Sequence, residues 1–417
     1  MNEVPSTPAR LSDRSVDAAE PAIPRLSHRQ IFLRFLRFGF LAWGGPVAQI
    51  AMVRRELIDD ERWISSGRFN RLLAVYQVLP GPEAHELCVH MGMLAGKRLG
   101  GFLAGLGFML PGFVLMFALS WLYFRLDISQ SALGPIFLGV QAVVIALIVR
   151  AVHRIGEHVV VDRWLAAIAL ATAGASFLGV SFWITLLASG IIYVLVNGGR
   201  FLTAFAAVIG AGLLAWATGA AGNVQLVASA GVAATEPGSV SPLLLFLSGL
   251  KAGLLTFGGA YTVIPFLRGD AVGNRWMSDA QFLDGLALSG ILPAPLIIFS
   301  TFVGYTAGGT AGAIAMTAGI FLPAFSFTLL LHDRLEAVVE NRLLHRFLEG
   351  VSAGVVGLIA ATTVELAATV AQRVPSIAPA VLIFAAGLAV LYLWKAKIAI
   401  AAVIFGAGLG GWLLFAG

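Results

Sequence analysis

The 417 residues are 59% hydrophobic and only 12% charged, with a mean hydropathy of +0.89. Soluble domains carry about 25% charged residues, so this composition excludes a water-soluble globular chain. The net charge of +5 comes from basic residues scattered over the N-terminal segment and short loops, with no patch interleaved with stacking aromatics, which argues against nucleic acid as a partner.

Residues 1–29 are polar, with Pro5, Pro8, Pro21 and Pro24 among Arg10, Arg14, Arg25 and Arg29. They read as a disordered cytoplasmic tail without the features of a signal peptide. Beyond them lie uncharged runs at 101–124, 164–199, 201–235 and 285–331. Each exceeds the roughly 20 residues that cross a bilayer, and continuous apolarity without alternation predicts helices rather than a barrel. Thirteen spans are predicted. The first seven are 31–53, 71–96, 101–124, 133–150, 164–180, 181–196 and 201–217; the rest are 242–267, 281–307, 310–331, 347–370, 379–394 and 398–416. The expected organisation is the tail, an N-terminal repeat over 30–217, an external linker over 218–241 and a C-terminal repeat over 242–417.

Loop charge sets the sidedness. Lys97, Arg98, the basic 150–163 loop and Arg200 are expected inside with the tail, as are Arg268, Arg275, the 332–346 loop, Lys395 and Lys397. The C-terminus then falls outside. One loop disagrees: 54–71 holds Arg54, Arg55, Arg62, Arg68 and Arg71, yet the count puts it outside. A re-entrant hairpin at Gly44-Gly45 in place of the 31–53 span is the alternative.

The two halves repeat the same punctuation about 213 residues apart. Gly44-Gly45 and Leu79-Pro80-Gly81-Pro82 in the first answer Gly258-Gly259 and Leu292-Pro293-Ala294-Pro295 in the second. Further on, Leu110-Pro111-Gly112-Phe113 answers Leu322-Pro323-Ala324-Phe325, and Gly139-Val140-Gln141-Ala142 answers Gly350-Val351-Ser352-Ala353. Seven spans before the second copy would invert it relative to the first. Duplicated apolar halves broken in matching places point to a secondary transporter with a midplane site. The fold expected is therefore an all-α polytopic membrane protein of two inverted-topology repeats with Gly/Pro-broken transmembrane helices.

Proline inside a helix removes a donor and clashes with the preceding turn, at about 3 kcal/mol or more. In hydrocarbon the freed groups must face protein or water. Half-helices starting after Pro82 and Pro295 would aim free amides and positive dipole ends inward, an arrangement that holds oxyanions without lysine. The ionisable residues read at membrane depth are Arg34, Arg37, Glu83, His85, Glu86, His90, Lys251 and Glu365. Glu83, directly after the break, is the foremost candidate; its counterpart is Leu296. Arg37 and Lys251, each seven before a Gly-Gly pair, are candidates for counter-charge or for snorkelling to the interface, and with His85 and Glu86 they are the charge-pairing and coupling candidates. His85, Glu86 and His90 do not form a zinc-protease motif, because that motif needs its second His four residues on and Val89 stands there. A P-loop is absent from the sequence, and no metal or cofactor is expected. Cys88, the single cysteine, reads as an inert core thiol and leaves no disulfide framework or Cys-based metal cluster.

At these residues a resemblance becomes specific. WGGPVAQIAMVRRELIDDERWIS and LLAVYQVLPGPEAHELCVHMG resemble the first conserved block of the chromate ion transporter family. LLTFGGAYTVIPFLRGDAV, WMSDAQFLDGLALSGILPAPLIIFSTFVGY and GIFLPAFSFTLLL resemble the second, and the similarity runs over about residues 30–400. Trp43 replaces the usual Phe and Arg54-Arg55 a typical Met-His. The resemblance implies a long-chain chromate efflux protein of a bacterial inner membrane. Carried over by motif, its binding and translocation positions are Gly44, Gly45, Pro46, Gln49, Pro80, Gly81, Pro82, Glu83, Phe257, Gly258, Gly259, Pro293 and Pro295. Chromate is the expected substrate, with sulfate, of the same shape and charge, as the alternative. The bilayer is the expected surrounding, and a homo-oligomer is compatible. An intramembrane enzyme built on His85, Glu86 and His90 is the alternative from another class.

Overall fold

The computed structural model describes residues 23–126, 133–220, 240–257, 259–331, 341–394, 396 and 398–415. Gly258, Lys395, Lys397, most of the expected tail and most of the expected linker lie outside the described residues. Among the described residues the fold is helical, without strands. In chain order the α-helices of the first half are α1 (His28–Leu41), α2 (Gly45–Val53), α3 (Ser66–Val78), α4 (Glu83–Arg125), α5 (Gly134–Val159), α6 (Arg163–Phe177), α7 (Phe182–Asn197) and α8 (Phe201–Ala220). The second half adds α9 (Pro242–Leu254), α10 (Ile264–Ala271), α11 (Asp279–Gly290), α12 (Ser300–Leu331), α13 (Arg342–Arg373), α14 (Ile377–Leu393) and α15 (Ala399–Phe415).

Helix starts follow local chemistry, and they repeat. Ser27 caps α1 and Ser241 caps α9; Ser65 caps α3 and Ser278 caps α11. Each serine oxygen accepts an amide that has no partner inside its helix, and Gln30 and Gln281 complete reciprocal capping boxes. The duplication read in the motifs therefore extends to the caps.

The 31–53 segment is not a continuous span. α1 ends at Leu41, Gly44 and Gly45 adopt φ of 93° and 79°, and α2 runs back, continuing as a π-helical turn over Arg54–Asp60. The reversal brings Glu56 to Arg37 at 2.9 Å and to Arg34 at 3.6 Å, while Glu61 bonds Arg34. Burial opposes charge on Glu61, but hydrogen bonds from Arg34 and Trp63 and the charges of Arg34 and Arg37 hold its carboxyl below the usual glutamate range. The second half builds the same hairpin. After α9 the chain turns through a 3₁₀ segment, Ala260–Val263, into α10, where Asp270 meets both Lys251 and Ser248.

The expected spans 71–96 and 281–307 are likewise broken in the middle. α3 stops before Leu79 and α4 starts at Glu83; α11 stops at Gly290, and a 3₁₀ turn, Leu296–Phe299, leads into α12. Both long helices then double back. α4 leaves helical geometry at Gly96 and Lys97, and α12 does so at Gly308 and Gly309. A Cβ on Gly92 would lie 2.5 Å from the Gly100 carbonyl, and Gly304 faces the Gly312 backbone in the same way. Small residues let the two limbs of each hairpin touch backbone to backbone. Each half thus carries two helical hairpins in series.

The halves pack on one another through matching positions. Gly81 lies against Ala324, and Ala294 against Gly112. The end of α4 and the start of α5 meet the starts and ends of second-half helices: Tyr123 bonds Asp284 of α11, Gln141 bonds Arg373 at the end of α13, and Gly139 backs onto Gly411 of α15. At the other end of the bundle, His153 of α5 shares a 2.9 Å hydrogen bond with Tyr392 of α14, and Gly350 of α13 meets Tyr193 of α7.

Among the described residues, five stretches are long and apolar enough to cross a membrane: Glu83–Arg125, Gly134–Val159, Phe201–Thr218, Leu296–Leu330 and Arg342–Arg373. Outward-facing side chains on the bundle are apolar too, with Leu170, Leu178, Leu202 and Trp216 each more than 70% exposed. A belt of that kind fits lipid and not water.

Candidate functional site

The breaks of one half meet the other half at the centre of the bundle. Leu79 is extended, Gly81 takes φ 153°, and Pro82 serves as the N-cap of α4. The Pro82 carbonyl accepts the amides of His85 (2.8 Å) and Glu86 (3.1 Å), leaving those of Glu83 and Ala84 ahead of the first intrahelical bond. Pro80, Gly81 and Pro82 are buried, and Glu83 is partly exposed at the helix start. Pro293 and Pro295 are buried at the equivalent break.

The Gly81 amide donates 2.8 Å to the carbonyl of Thr256, the residue before Phe257. The break of the first half is therefore tied to the Gly-rich turn of the second. Phe257 is buried, and Gly259 has φ 121° and offers its carbonyl to Thr262 Oγ1 at 2.7 Å. By position in the repeat, Ala42 answers Thr256 and Ala294 answers Gly81. This second junction is not tied. The Ala42 carbonyl accepts Gln49 Nε2 at 2.9 Å, and the Ala294 amide bonds Leu292. A cavity of about 840 Å³ opens beside it, lined by Arg37, Trp43, Met52, Arg55, Glu56 and Ile291. One junction is closed by a hydrogen bond between the halves and its counterpart is not.

Under the first break lies a buried polar pocket. Glu86 is fully buried, its carboxylate 2.8 Å from where a Gly81 Cβ would sit, and neither oxygen has a hydrogen-bond partner. Gln49 is 1% exposed and its Oε1 is likewise unpartnered. His85 faces the Gly105 backbone among the rings of Phe108, Phe321 and Phe325, the last at 4.7 Å between centroids. His90 turns elsewhere and pairs with the Tyr76 hydroxyl at 2.7 Å. Among the described residues no three His, Cys, Asp or Glu side chains gather as metal ligands.

The sequence-predicted residues therefore divide. Gly44, Gly45, Pro46 and Gln49 build the first turn, Pro80 to Glu83 the first break, Phe257 and Gly259 the second turn, and Pro293 and Pro295 the second break. Gly258 is outside the described residues. Arg37 and Lys251, read as candidates for counter-charge or for snorkelling, close the bases of their hairpins on Glu56 and Asp270. Arg37 still leaves much of its guanidinium open to the cavity, at 61% side-chain exposure. Glu365 pairs with Arg268. Sequence reasoning missed Asp284, which lies inside the 281–307 stretch but was passed over because the uncharged run starts one residue later. Its position four residues into that stretch was the available signal.

A polytopic helical membrane protein with duplicated, centrally broken halves is what this geometry defines. The sequence matches the chromate transporter family over residues 29–194 and 243–412, and the chain belongs to that family. A chromate transport protein of Pseudomonas aeruginosa is 62% identical over 419 residues, covering 99% of this chain and 98% of its own length. A chromate transport protein of Cupriavidus metallidurans is 30% identical over 354 residues, covering 82% and 84%. An uncharacterized transporter of Methanocaldococcus jannaschii is 28% identical over 357 residues, covering 81% and 84%. No solved structure matches the chain.

Proposed function

We propose that this chain carries chromate out across a bacterial inner membrane by alternating access between two inverted repeats. The observation that carries the reading is the unequal pair of junctions: Gly81 is bonded to Thr256, while the equivalent Ala42 and Ala294 bond within their own halves, with a cavity lined by their neighbours Trp43 and Ile291. Two related junctions in different states are what a rocking pair of repeats would present at one end of its cycle.

Inversion is supported by which helix ends meet. In the first half both hairpins share a face with Lys97, since Ile31 and His28 at the start of α1 lie against Gly96. The second limb of α4 leads away from that face, and its far end at Tyr123 meets Asp284, near the start of α11. The hairpins of the second half thus enter from the opposite face. The second limb of α4, then α5 to α8, the second limb of α12 and α13 to α15 cross, an odd number, so the termini lie on opposite faces, and the positive-inside bias puts the tail inside and the C-terminus outside. This topology moves the arginine-rich 54–71 loop inside, in keeping with the positive-inside bias. It moves Arg268 and Arg275 outside, and Arg268 is held there by Asp279 and Glu365.

The cavity then faces the cytoplasm, with Arg37 and Arg55 beside Glu56 and Asp60 in its lining. Helix starts at Glu83 and Leu296 turn amide dipoles toward the centre, where a tetrahedral oxyanion needs donors rather than a full counter-charge. The interior-negative potential favours exit by about 2.3 kcal/mol per charge per 100 mV, so a dianion gains about twice that. Purified protein in liposomes is expected to exchange labelled chromate across the membrane and to respond to an imposed potential. Excess sulfate is expected to compete weakly; sulfate exchange with no chromate exchange would reassign the substrate, and exchange of neither would refute the reading.

A further inference from the structure

Asp284 is 4% exposed, on the helix that runs directly into the Pro293–Pro295 break. Tyr123 donates its hydroxyl to Oδ2 at 2.7 Å, and Gln141 donates Nε2 to Oδ1 at 2.6 Å. Gln141 Oε1 in turn accepts from the Arg373 guanidinium at 2.9 Å. The two neighbours fix the amide's orientation, since a flipped Gln141 would set oxygen against carboxylate and NH₂ against guanidinium. A buried carboxyl is thus linked in two steps to an exposed cation. The link also joins the halves, because Tyr123 and Gln141 belong to the first, and Asp284 and Arg373 to the second.

Among the described residues, the elements packed around α11 leave Asp284 few other titratable neighbours. The second limb of α4 has, besides Tyr123, Arg98 at its opposite end and Arg125 over Trp121. The next ionisable residue on α5 is Arg150, nine positions past Gln141. On α10, Arg268 is engaged by Asp279 and Glu365, and Asp270 by Lys251; α13 adds that Glu365 and Arg373. Tyr305 of α12 stacks on Phe124, and the 3₁₀ turn at Leu296–Phe299 and α15 contribute none.

Both oxygens of Asp284 accept, and both partners donate. A proton on Oδ2 can be accepted by the Tyr123 hydroxyl while Oδ1 still accepts from Gln141, so protonation turns the charge-assisted bonds between the halves into neutral ones, about half as strong. The link sits on the face of the bundle assigned above as external. We infer that Asp284 is a proton-binding residue of the transport cycle: protonated from outside, it loosens its hold on Tyr123 and Gln141, and α11 moves with its break to open the external side. This rests on the alternating-access reading.

The test uses the full chain in liposomes, measuring net chromate flux and chromate–chromate exchange while the pH on the external face is varied. Net flux of the unaltered protein should rise with external acidity, by up to about tenfold per pH unit, the limit for one proton. Asp284→Asn should flatten that response while exchange stays measurable. Tyr123→Phe, which keeps the carboxyl but removes one donor, should move the midpoint about one unit to higher pH. A flux of the unaltered protein that ignores external pH, an Asp284→Asn response like the original, or an unmoved Tyr123→Phe midpoint would each overturn the inference. So would loss of both flux and exchange in an Asp284→Asn protein whose thermal melt is unchanged, which would make Asp284 a structural pin. Absence of chromate exchange in the unaltered protein would defeat the transport reading itself.

Discussion

Gly92→Val is expected to prevent the first half from folding. A Cβ at this position would sit 2.5 Å from the Gly100 carbonyl and closer still to the Ala104 methyl. Its neighbours across the hairpin are backbone, which cannot swing aside as a flexible side chain would. Overpacking a tight core costs about 1–3 kcal/mol and more where nothing can yield, so we expect about 3 kcal/mol or more here. The limbs would part at Gly96, and the first turn of α4, with Glu83 to Glu86, would lose its support. The measurable outcome is a large drop in folded protein recovered from membranes, with a melting transition lowered or absent in what remains. Gly304→Val should do the same, because Gly304 meets the Gly312 backbone in the repeated hairpin. Normal recovery of either variant would mean the limbs are not in contact as described.

Gly81→Ala should leave the protein inserted but stop it working. Gly81 holds φ 153°, which side-chain-bearing residues rarely adopt, at a cost of order 1–3 kcal/mol. A methyl there would also press to 2.8 Å on a Glu86 oxygen and 3.3 Å on Ala324. The peptide must then shift, and its amide loses the Thr256 carbonyl that closes the junction between halves. Each 1.4 kcal/mol taken from one state of the cycle is about a tenfold change in rate. We expect chromate flux at least about tenfold lower with recovery from membranes near normal, as the strain falls on one loop at the surface between repeats and not on a hairpin core. Flux at the original level would remove Gly81 from the moving junction.

How much of this was readable beforehand depends on whether the signal is local. Proline and glycine act on their own backbone, so the breaks at Pro80–Pro82 and Pro293–Pro295 and the turn at Gly44-Gly45 stand in the sequence as in the structure. Reversals inside an apolar stretch leave little trace. Gly96 and Lys97 interrupt α4 between limbs that are equally hydrophobic, and counting apolar residues gives length without direction. The partners of Arg37 and Lys251 were hidden for the same reason: Glu56 and Asp270 lie 19 residues further on and become neighbours only once the chain has turned back. The arginine-rich 54–71 loop was the one clue, since its charge agreed with a hairpin and not with a span. The setting of Asp284 is equally non-local, because its binding partners come from two other helices, 161 residues away in sequence for Tyr123 and 143 for Gln141.

The account stands on the halves being mounted in opposite senses, and the tips of the two long hairpins report that directly. Arg98 and Thr310 are exposed, and they occupy matching positions just past the reversals at Lys97 and Gly309. With the buried Cys88 replaced by alanine, single cysteines at 98 and 310 can be challenged with a membrane-impermeant thiol reagent added to one face at a time. The cysteine at 98 should react only from the cytoplasmic face and the one at 310 only from the external face. Labelling of both from the same face would contradict the inverted arrangement, and with it the closed and open junctions as two ends of one cycle.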